Sequence, residues 1–386
     1  MSINTTRKLS ANRFKNSTRL IAIFLFVILL IACQPVSGSG ITGTSSPTTA
    51  QNPVVMPSQP GEILPSSTAV PLATNLPETT PGQPTTLPPS ATLAIESSPT
   101  AKQPSTGANI KTVFIIVMEN HNWSDILNSP SAPYINQTLL PQASSAMQYY
   151  NPPGNHPSEP NYLWLEAGTN FGIKNDHNPQ ENHQSTTDHL VTYLQQAGVT
   201  WKAYQEGIDG TTCPLKTQGL YAPKHNPMVF FDDVTNQNDP NFTYCIVHER
   251  PFSELQADLQ NNMVARYNFI SPDLCHDMHN SVGCDTLDEI KNGDTWLSEQ
   301  VPMIMSSSAY QDGGVLFITW DESEDGDNPI GMIVLSPFAK GSGYTNSIPY
   351  THSSTLRTIQ EIFNITPLLG DAAQATDLSD LFRVFP

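Results

Sequence analysis

The chain has 386 residues and a net charge of −18 at pH 7, from 35 acidic and 17 basic side chains. An acidic surface of this kind repels nucleic acid and anionic lipid, so we exclude nucleic acid as a partner. An anionic substrate would need a local cation at its binding site, and a divalent metal ion is the simplest candidate.

The first 32 residues are predicted to be an export signal. Five basic residues precede an uncharged apolar run over residues 20–32, which is short for a membrane-spanning helix. The run ends in Leu30, Ile31, Ala32 and Cys33, which resembles the lipobox of bacterial lipoproteins. By that resemblance Cys33 is lipidated and anchors an exported protein to the bacterial membrane at the cell surface; a plain membrane anchor is the alternative. Removal of residues 1–32 leaves 12 basic and 35 acidic side chains, a net charge of −23.

Residues 33–109 are predicted to be a disordered linker rich in Pro, Ser and Thr. Residues 34–109 contain 14 prolines and no Phe, Trp or Tyr, so they cannot build a hydrophobic core. Such a segment acts as a semi-extended tether. The remaining residues, 110–386, are long enough for one sizeable α/β domain, and we expect any catalytic function there.

Short apolar runs alternate with helix-like segments along this domain. The predicted strands are residues 113–118, 267–271, 315–320 and 330–335, and the predicted helices are residues 185–197, 253–262, 294–308 and 353–363. This alternation predicts an α/β fold with a mostly parallel sheet and helices on both faces.

Two of the predicted strands end in adjacent polar pairs. Glu119 and Asn120 follow residues 113–118, and Asp321 and Glu322 follow residues 315–320. The carboxyl ends of parallel strands meet at one edge of a sheet, where open α/β folds bind their ligands. Carboxylate and amide oxygens suit a divalent ion, and this set would accept Ca, Mn, Fe or Zn. Taken alone, each pair is also typical of the polar residues that commonly follow a strand.

A serine is predicted at the start of a helix. In the segment NHPSEPNYLWLEAGT, residues 155–169, Pro160 suits the first helical turn, which puts Ser158 or Glu159 at the N-cap. Such a serine is usually only a cap. A helix start also offers free N–H groups to an anion, and a serine beside a metal is well placed to attack phosphorus.

Four cysteines follow Cys33 in the chain. In an exported protein an even number favours disulfides, and the most local of the three possible pairings joins Cys213 to Cys245 and Cys275 to Cys284. The segment CHDMHNSVGC, residues 275–284, could alternatively be a zinc site, because it contains two histidines between its cysteines.

Six motifs together resemble those of the phosphoesterase family, which includes bacterial and fungal acid phosphatases and non-haemolytic phospholipases C. In chain order they are MENHNW, HPSEPNY, KHNPMVFF, FISPDLCHDMH, WDESEDGDNP and YTHSS. The resemblance covers nearly all of residues 110–370. It implies an alkaline-phosphatase-like α/β fold and an enzyme that hydrolyses phosphoric esters.

The resemblance also implies roles for particular residues. The metal ligands would be Glu119, Asn120, Asp321 and Glu322, and Ser158 would be the nucleophile that forms a phosphoserine intermediate. Near neutrality imidazole suits proton transfer to a leaving alkoxide. The expected further site residues are His225 and His276 as catalytic groups, with His279, His352 and Lys224 as ligands of the substrate phosphate.

Two departures from the phospholipase branch favour an acid-phosphatase-like phosphomonoesterase. Asn328 stands where that branch tends to carry a histidine, and the large insertions and added C-terminal region of that branch are not seen. The alternatives are phospholipase C activity on phosphodiesters and a non-catalytic lipoprotein that binds phosphorylated ligands. A pure binder would not need the Ser158 hydroxyl together with four metal ligands.

Overall fold

The structure, a computed structural model, describes residues 109–386. The predicted export signal at residues 1–32, the lipidation site Cys33 and the linker up to residue 108 lie outside the described residues. Within residues 109–386, no helix combines the length and the apolar character needed to cross a membrane.

Residues 109–386 contain ten strands, and eight of them form one sheet. In chain order the strands are β1 (Thr112–Met118), β2 (Ser144–Ala146), β3 (Tyr149–Tyr150), β4 (Trp201–Gln205), β5 (Glu249–Pro251), β6 (Tyr267–Ser271), β7 (Gly314–Trp320), β8 (Met332–Leu335), β9 (Tyr344–Asn346) and β10 (Tyr350–Thr351). The sheet order is β5-β4-β6-β1-β7-β8-β2-β9, and β3 pairs with β10 separately. Only β8 runs antiparallel to its neighbours in the large sheet, which confirms the predicted mostly parallel arrangement.

The two central strands explain the apolar runs of the sequence. Every residue of β1 and of β7 is buried. Since successive side chains of a strand point to opposite faces, both faces of the sheet are covered at its centre. The predicted strand at residues 330–335 exists as β8 but is reversed. It follows β7 after eleven residues without a helix, which is too short a connection for the usual parallel crossover.

Helices fill the connections between the other strands. They are α1 (Trp123–Ile126), α2 (Leu140–Gln142), α3 (Ser158–Ala167), α4 (Pro179–Asn182), α5 (Leu190–Gln196), α6 (Asp232–Thr235), α7 (Thr243–His248), α8 (Leu255–Gln260), α9 (Glu289–Ser306), α10 (Ser308–Gln311) and α11 (His352–Ile362). Single turns of 3₁₀-helix include Pro223–His225 and Pro227–Phe230. The four predicted helices are present as α5, α8, α9 and α11. Helix α9 begins earlier than predicted, because the Asp288 side chain accepts a hydrogen bond from the N–H of Lys291 and caps it.

The cysteines form the two predicted disulfides. Cys213 is bonded to Cys245, and Cys275 is bonded to Cys284. The alternative zinc site that would use Cys275 and Cys284 is therefore wrong, because both thiols are consumed. Structural disulfides are typical of exported proteins.

Candidate active site

The two predicted polar pairs leave the sheet side by side. Strands β1 and β7 are parallel neighbours, with Met118 paired to Trp320 at their ends. The next residues, Glu119 and Asp321, therefore enter the same region, and the N–H of Asp321 donates to the carbonyl of Met118 at 2.9 Å. The predicted convergence at the sheet edge is present in the fold.

The Glu119 carboxylate is the centre of the site. It is fully buried and receives a hydrogen bond from the Ser158 hydroxyl on Oε2 at 3.0 Å. On Oε1 it receives a second hydrogen bond, from the Tyr162 hydroxyl at 3.1 Å. His225 Nε2 lies 3.0 Å from the same Oε1. One carboxylate thus links the predicted nucleophile to a tyrosine and a histidine.

Glu119 and His225 form a buried charged pair. Burial alone would raise the pKa of Glu119, but the positive charges of His225 and Lys224 lower it below its ordinary value. Burial would lower the pKa of His225, but the negative charges of Glu119 and Asp277 raise it to about 9. Near neutrality Glu119 is therefore ionised and His225 protonated.

Two further carboxyl groups, those of Asp321 and Glu322, are buried near Glu119. Asp321 is fully buried, and its Oδ2 has no hydrogen-bond partner among residues 109–386. Burial, followed by the charges of Glu119 and Glu322, raises the pKa of Asp321 well above its ordinary value. Burial also raises the pKa of Glu322 to about 7, in spite of the neighbouring His156. The Glu119, Asp321 and Glu322 carboxylates act on one another electrostatically, and with the unpartnered oxygen of Asp321 their chemistry suits a divalent cation, although they are not among the described residues whose ligand atoms all lie within 4.8 Å of one another. Asn120, half-buried beside Glu119, could add an amide oxygen.

Ser158 is the first residue of α3 rather than its cap. Pro157 occupies the N-cap position in an extended conformation and makes no side-chain cap hydrogen bond itself. This corrects the expectation that Ser158 or Glu159 would be the N-cap. The Ser158 hydroxyl is used for the contact with Glu119 instead.

His225 is held in place from several sides. It ends the turn Pro223–His225, and its carbonyl accepts a hydrogen bond from the Ser271 hydroxyl at 2.8 Å. Its ring stacks on Tyr162 with centroids 5.2 Å apart, and its Nδ1 lies 3.2 Å from Asp277 Oδ2. The imidazole is thus oriented between two carboxylates, those of Glu119 and Asp277.

Two of the predicted phosphate ligands lie near Glu119 and His225. The exposed His279 ring lies 6.1 Å from the His225 ring, centroid to centroid. Lys224 is half-buried, and its Nζ donates to Asp176 Oδ2 at 3.2 Å. Burial would lower the pKa of Lys224, but the charges of Glu119, Asp176 and Asp321 raise it. Lys224 is therefore a cation within electrostatic reach of the site.

His352 does not face the site as a phosphate ligand. It is fully buried at the start of α11, with Nε2 against the carbonyl oxygen of Asp321 and Nδ1 3.2 Å from the Tyr149 hydroxyl. Burial lowers its pKa to about 4, so it is neutral. Both ring nitrogens contact the protein, which corrects the expectation for His352: it supports the backbone of Asp321.

His276 belongs to a different cluster from Glu119 and Ser158. Its Nδ1 lies 2.9 Å from Glu206 Oε2 and 3.3 Å from Asp273 Oδ1, beside a cavity of about 390 Å³. These three side chains present possible metal-ligand atoms within 4.8 Å of one another. The same oxygens of Glu206 and Asp273 accept backbone N–H groups, so hydrogen bonds account for the arrangement. The structure does not bring His276 to the predicted catalytic position.

Several residues of the site were not singled out from the sequence. Tyr162 and Asp277 contact Glu119 and His225, as described above. Asn161 donates to Glu322 Oε2 at 3.1 Å, and His156 Nδ1 lies 2.6 Å from the same oxygen. All four lie inside the motifs HPSEPNY and CHDMH. The sequence signal for these residues was the type of side chain. Phenol, imidazole, amide and carboxylate groups that share a motif with site residues can hydrogen-bond to the charged side chains of the site.

Comparison with known proteins identifies the family of the chain and several similar proteins. The model of the phosphoesterase family matches residues 132–366. A phosphatidylinositol-3-phosphatase of Mycobacterium tuberculosis is 28% identical over 271 residues, which cover 70% of this chain and 82% of that protein. A probable acid phosphatase of Kluyveromyces lactis is 26% identical over 321 residues, which cover 78% of this chain and 71% of that protein.

Solved structures give a looser likeness, which concerns the fold alone. The phosphonate monoester hydrolase of Agrobacterium radiobacter aligns with a TM-score of 0.46 and 11% identity, over 72% of this chain and 78% of that chain. A protein in the alkaline phosphatase superfamily from Vibrio parahaemolyticus aligns with a TM-score of 0.45 and 9% identity, over 71% of this chain and 73% of that chain.

Proposed function

The chain belongs to the phosphoesterase family and is a phosphoric ester hydrolase, and we propose that it is a metal-dependent, acid-phosphatase-like phosphomonoesterase with Ser158 as its nucleophile. One observation carries the proposal. The Ser158 hydroxyl lies 3.0 Å from a carboxylate of a buried acidic cluster, in which Asp321 Oδ2 has no partner among the described residues. A hydroxyl next to a buried cation-binding cluster suits nucleophilic attack on phosphorus.

The proposed reaction has two steps. Ser158 Oγ gives up its hydroxyl proton and forms a bond to phosphorus while the bond from phosphorus to the ester oxygen breaks, and the leaving alkoxide takes up one proton, so the step neither gains nor loses a proton overall. Water then attacks the phosphoserine, which releases phosphate and restores the hydroxyl. Glu119 accepts the Ser158 hydrogen bond and thereby orients Oγ. His225 holds Glu119 in its ionised form. His279, next to His225, and Lys224, which pairs with Asp176, would contact phosphoryl oxygens.

Glu119, Asn120, Asp321 and Glu322 would hold the divalent ion, for which Ca, Mn, Fe and Zn are all chemically suitable. When bound, the ion supplies positive charge that stabilises phosphoryl oxygens and an ionised hydroxyl. His156 and Asn161, which both contact Glu322 Oε2, would orient that ligand.

Removal of the metal is expected to abolish hydrolysis of p-nitrophenyl phosphate by the full-length chain. We expect a chelator to remove the activity and one of the four ions to restore it, because the carboxylate cluster cannot bind an anion without a cation. The assay runs from acidic to neutral pH, and a phosphocholine diester is tested in parallel and should react more slowly. If the metal-loaded protein hydrolysed neither ester, a non-catalytic binding role would replace the proposal.

We also propose that the enzyme is exported and tethered to the membrane through lipidated Cys33 and the linker at residues 33–109. The support is the lipobox-like sequence that ends at Cys33, together with the two disulfides of the folded domain. Cys33→Ser should move the protein from the membrane fraction to the soluble fraction of the producing cells. Equal membrane association of the variant and the wild type would argue against the lipid anchor.

A further inference from the structure

We propose that Asp176 is a specificity-determining residue, whose carboxylate occupies an anion position at the start of α3 and thereby weakens the binding of phosphate to the site. The inference rests on the proposed function, because it concerns how the same site binds its product.

Asp176 uses two donors that an incoming phosphate would also use. Its Oδ1 accepts the backbone N–H of Glu159 at 3.0 Å, and its Oδ2 accepts Lys224 Nζ at 3.2 Å. The N–H group belongs to the first turn of α3, a helix of ten residues whose N-terminus favours negative charge. The carboxylate thus bridges the helix start and the lysine.

This position adjoins the reacting groups. Glu159 directly follows Ser158, and Lys224 directly precedes His225. Through these two donors Asp176 is joined directly to the residue that follows the proposed nucleophile and to the residue that precedes His225.

Glu159 does not supply the negative charge at this helix start. It is fully buried, Oε1 accepts Asn182 Nδ2 at 2.8 Å, and Oε2 has no hydrogen-bond partner in the described part of the chain. Burial raises its pKa to about 9, so Glu159 is neutral at physiological pH. The charge that pairs with Lys224 here is that of Asp176.

A phosphate group at Ser158 must either displace this carboxylate or bind beside its charge. Phosphate can displace the Asp176 side chain, because this side chain is 27% exposed and can turn toward solvent. Either route lowers the affinity for a dianion, since two like charges then share the same donors. Weaker binding of the product favours its release, which limits the turnover of many hydrolases.

The test is the equilibrium affinity of the full-length chain for inorganic phosphate, measured by calorimetry in Ca²⁺ or Mn²⁺. Asp176→Asn should bind phosphate about tenfold more tightly than the wild type, because the amide oxygen can still accept the N–H of Glu159 without its negative charge. KM for p-nitrophenyl phosphate should fall, and kcat should not rise with it. Asp232→Asn is the matched control: it removes the same charge from a carboxylate that lies 2.8 Å from His183 Nδ1, and should leave phosphate affinity unchanged.

Equal or weaker phosphate binding by a folded Asp176→Asn variant would overturn the inference and leave Asp176 as a support for Lys224. Asp176→Glu keeps the charge, so a gain in affinity in that variant would overturn it as well. The phosphate titration does not require turnover. If the wild type hydrolyses esters but Asp176→Asn binds phosphate no more tightly, only this inference is wrong. If the wild type is inactive with every ion tested, the proposed function is wrong.

Discussion

Replacement of Ser158 by alanine is expected to lower kcat for p-nitrophenyl phosphate by at least about a thousandfold. The hydroxyl lies 3.0 Å from Glu119 Oε2. The other two groups on this carboxylate are less suited to attack, because burial raises the pKa of the Tyr162 hydroxyl well above its ordinary value and the raised pKa of His225, about 9, keeps its imidazole protonated. The acidic cluster is retained in the variant, so the metal-loaded protein should still bind inorganic phosphate. Steady-state kinetics and phosphate calorimetry on the same preparation separate loss of chemistry from loss of binding.

Ser353→Ala provides the matched control for this substitution. Ser353 is also a buried serine in the first turn of a helix, α11, where it accepts a hydrogen bond from Trp164 Nε1 at 2.8 Å and donates one to Asp371. This variant should lose about 1 kcal/mol of stability and keep most of its activity. If Ser158→Ala retained more than about a tenth of wild-type kcat, another group would have to be the nucleophile.

The convergence of Glu119, Asp321 and Ser158 could be predicted because strand direction determines it. Apolar runs without charges indicated buried parallel strands, and the carboxyl ends of β1 and β7 then had to meet. The helix start at Ser158 was indicated by Pro160, although its position relative to the cap was not. The hydrophobic pattern and the direction of the strands were enough to predict that these residues converge.

The histidines could not be assigned from the sequence, because side-chain direction in a loop depends on local backbone turns. His276 and Asp277 are adjacent, yet Asp277 faces His225 while His276 faces Glu206. The next residue, Met278, has a φ of 81°, a left-handed backbone conformation that the residue types at this position do not predict. His352 lies in a helix start similar to that of Ser158, and only the packing of Tyr149 and Asp321 around it shows that it is a buried support.

Another buried histidine, outside the predicted motifs, contacts the C-terminal end of α3. His189 is fully buried, with Nδ1 2.9 Å from Glu166 Oε1 on α3 and Nε2 3.0 Å from Asp233 Oδ1. Its ring stacks on Phe231 with centroids 3.8 Å apart. Burial would lower the pKa of His189, but its hydrogen bonds to Asp233 and Glu166 raise it. Burial raises the pKa of Glu166 in turn, and its hydrogen bond to His189 opposes that shift. His189 is thus a direct partner of a buried acidic group on the helix that begins with Ser158.

We therefore expect His189→Ala to lower the free energy of unfolding by about 3–5 kcal/mol, because the buried Glu166 carboxyl loses its ion-pair partner and keeps only the Val191 N–H as a described donor. Urea denaturation at neutral pH measures the loss. Adding Glu166→Gln to His189→Ala should recover part of it, since a neutral amide costs less to bury than an unpaired charge.

His183→Ala separates this effect from the removal of any paired histidine. His183 Nδ1 lies 2.8 Å from Asp232, but its side chain is 42% exposed, so the variant should lose less than about 1 kcal/mol. Similar losses for His183→Ala and His189→Ala would contradict the electrostatic account, as would a double variant no more stable than His189→Ala alone. A large loss confined to His189→Ala would instead indicate that the buried contact between His189 and Glu166 at the end of α3, and not histidine pairing in general, stabilises the domain.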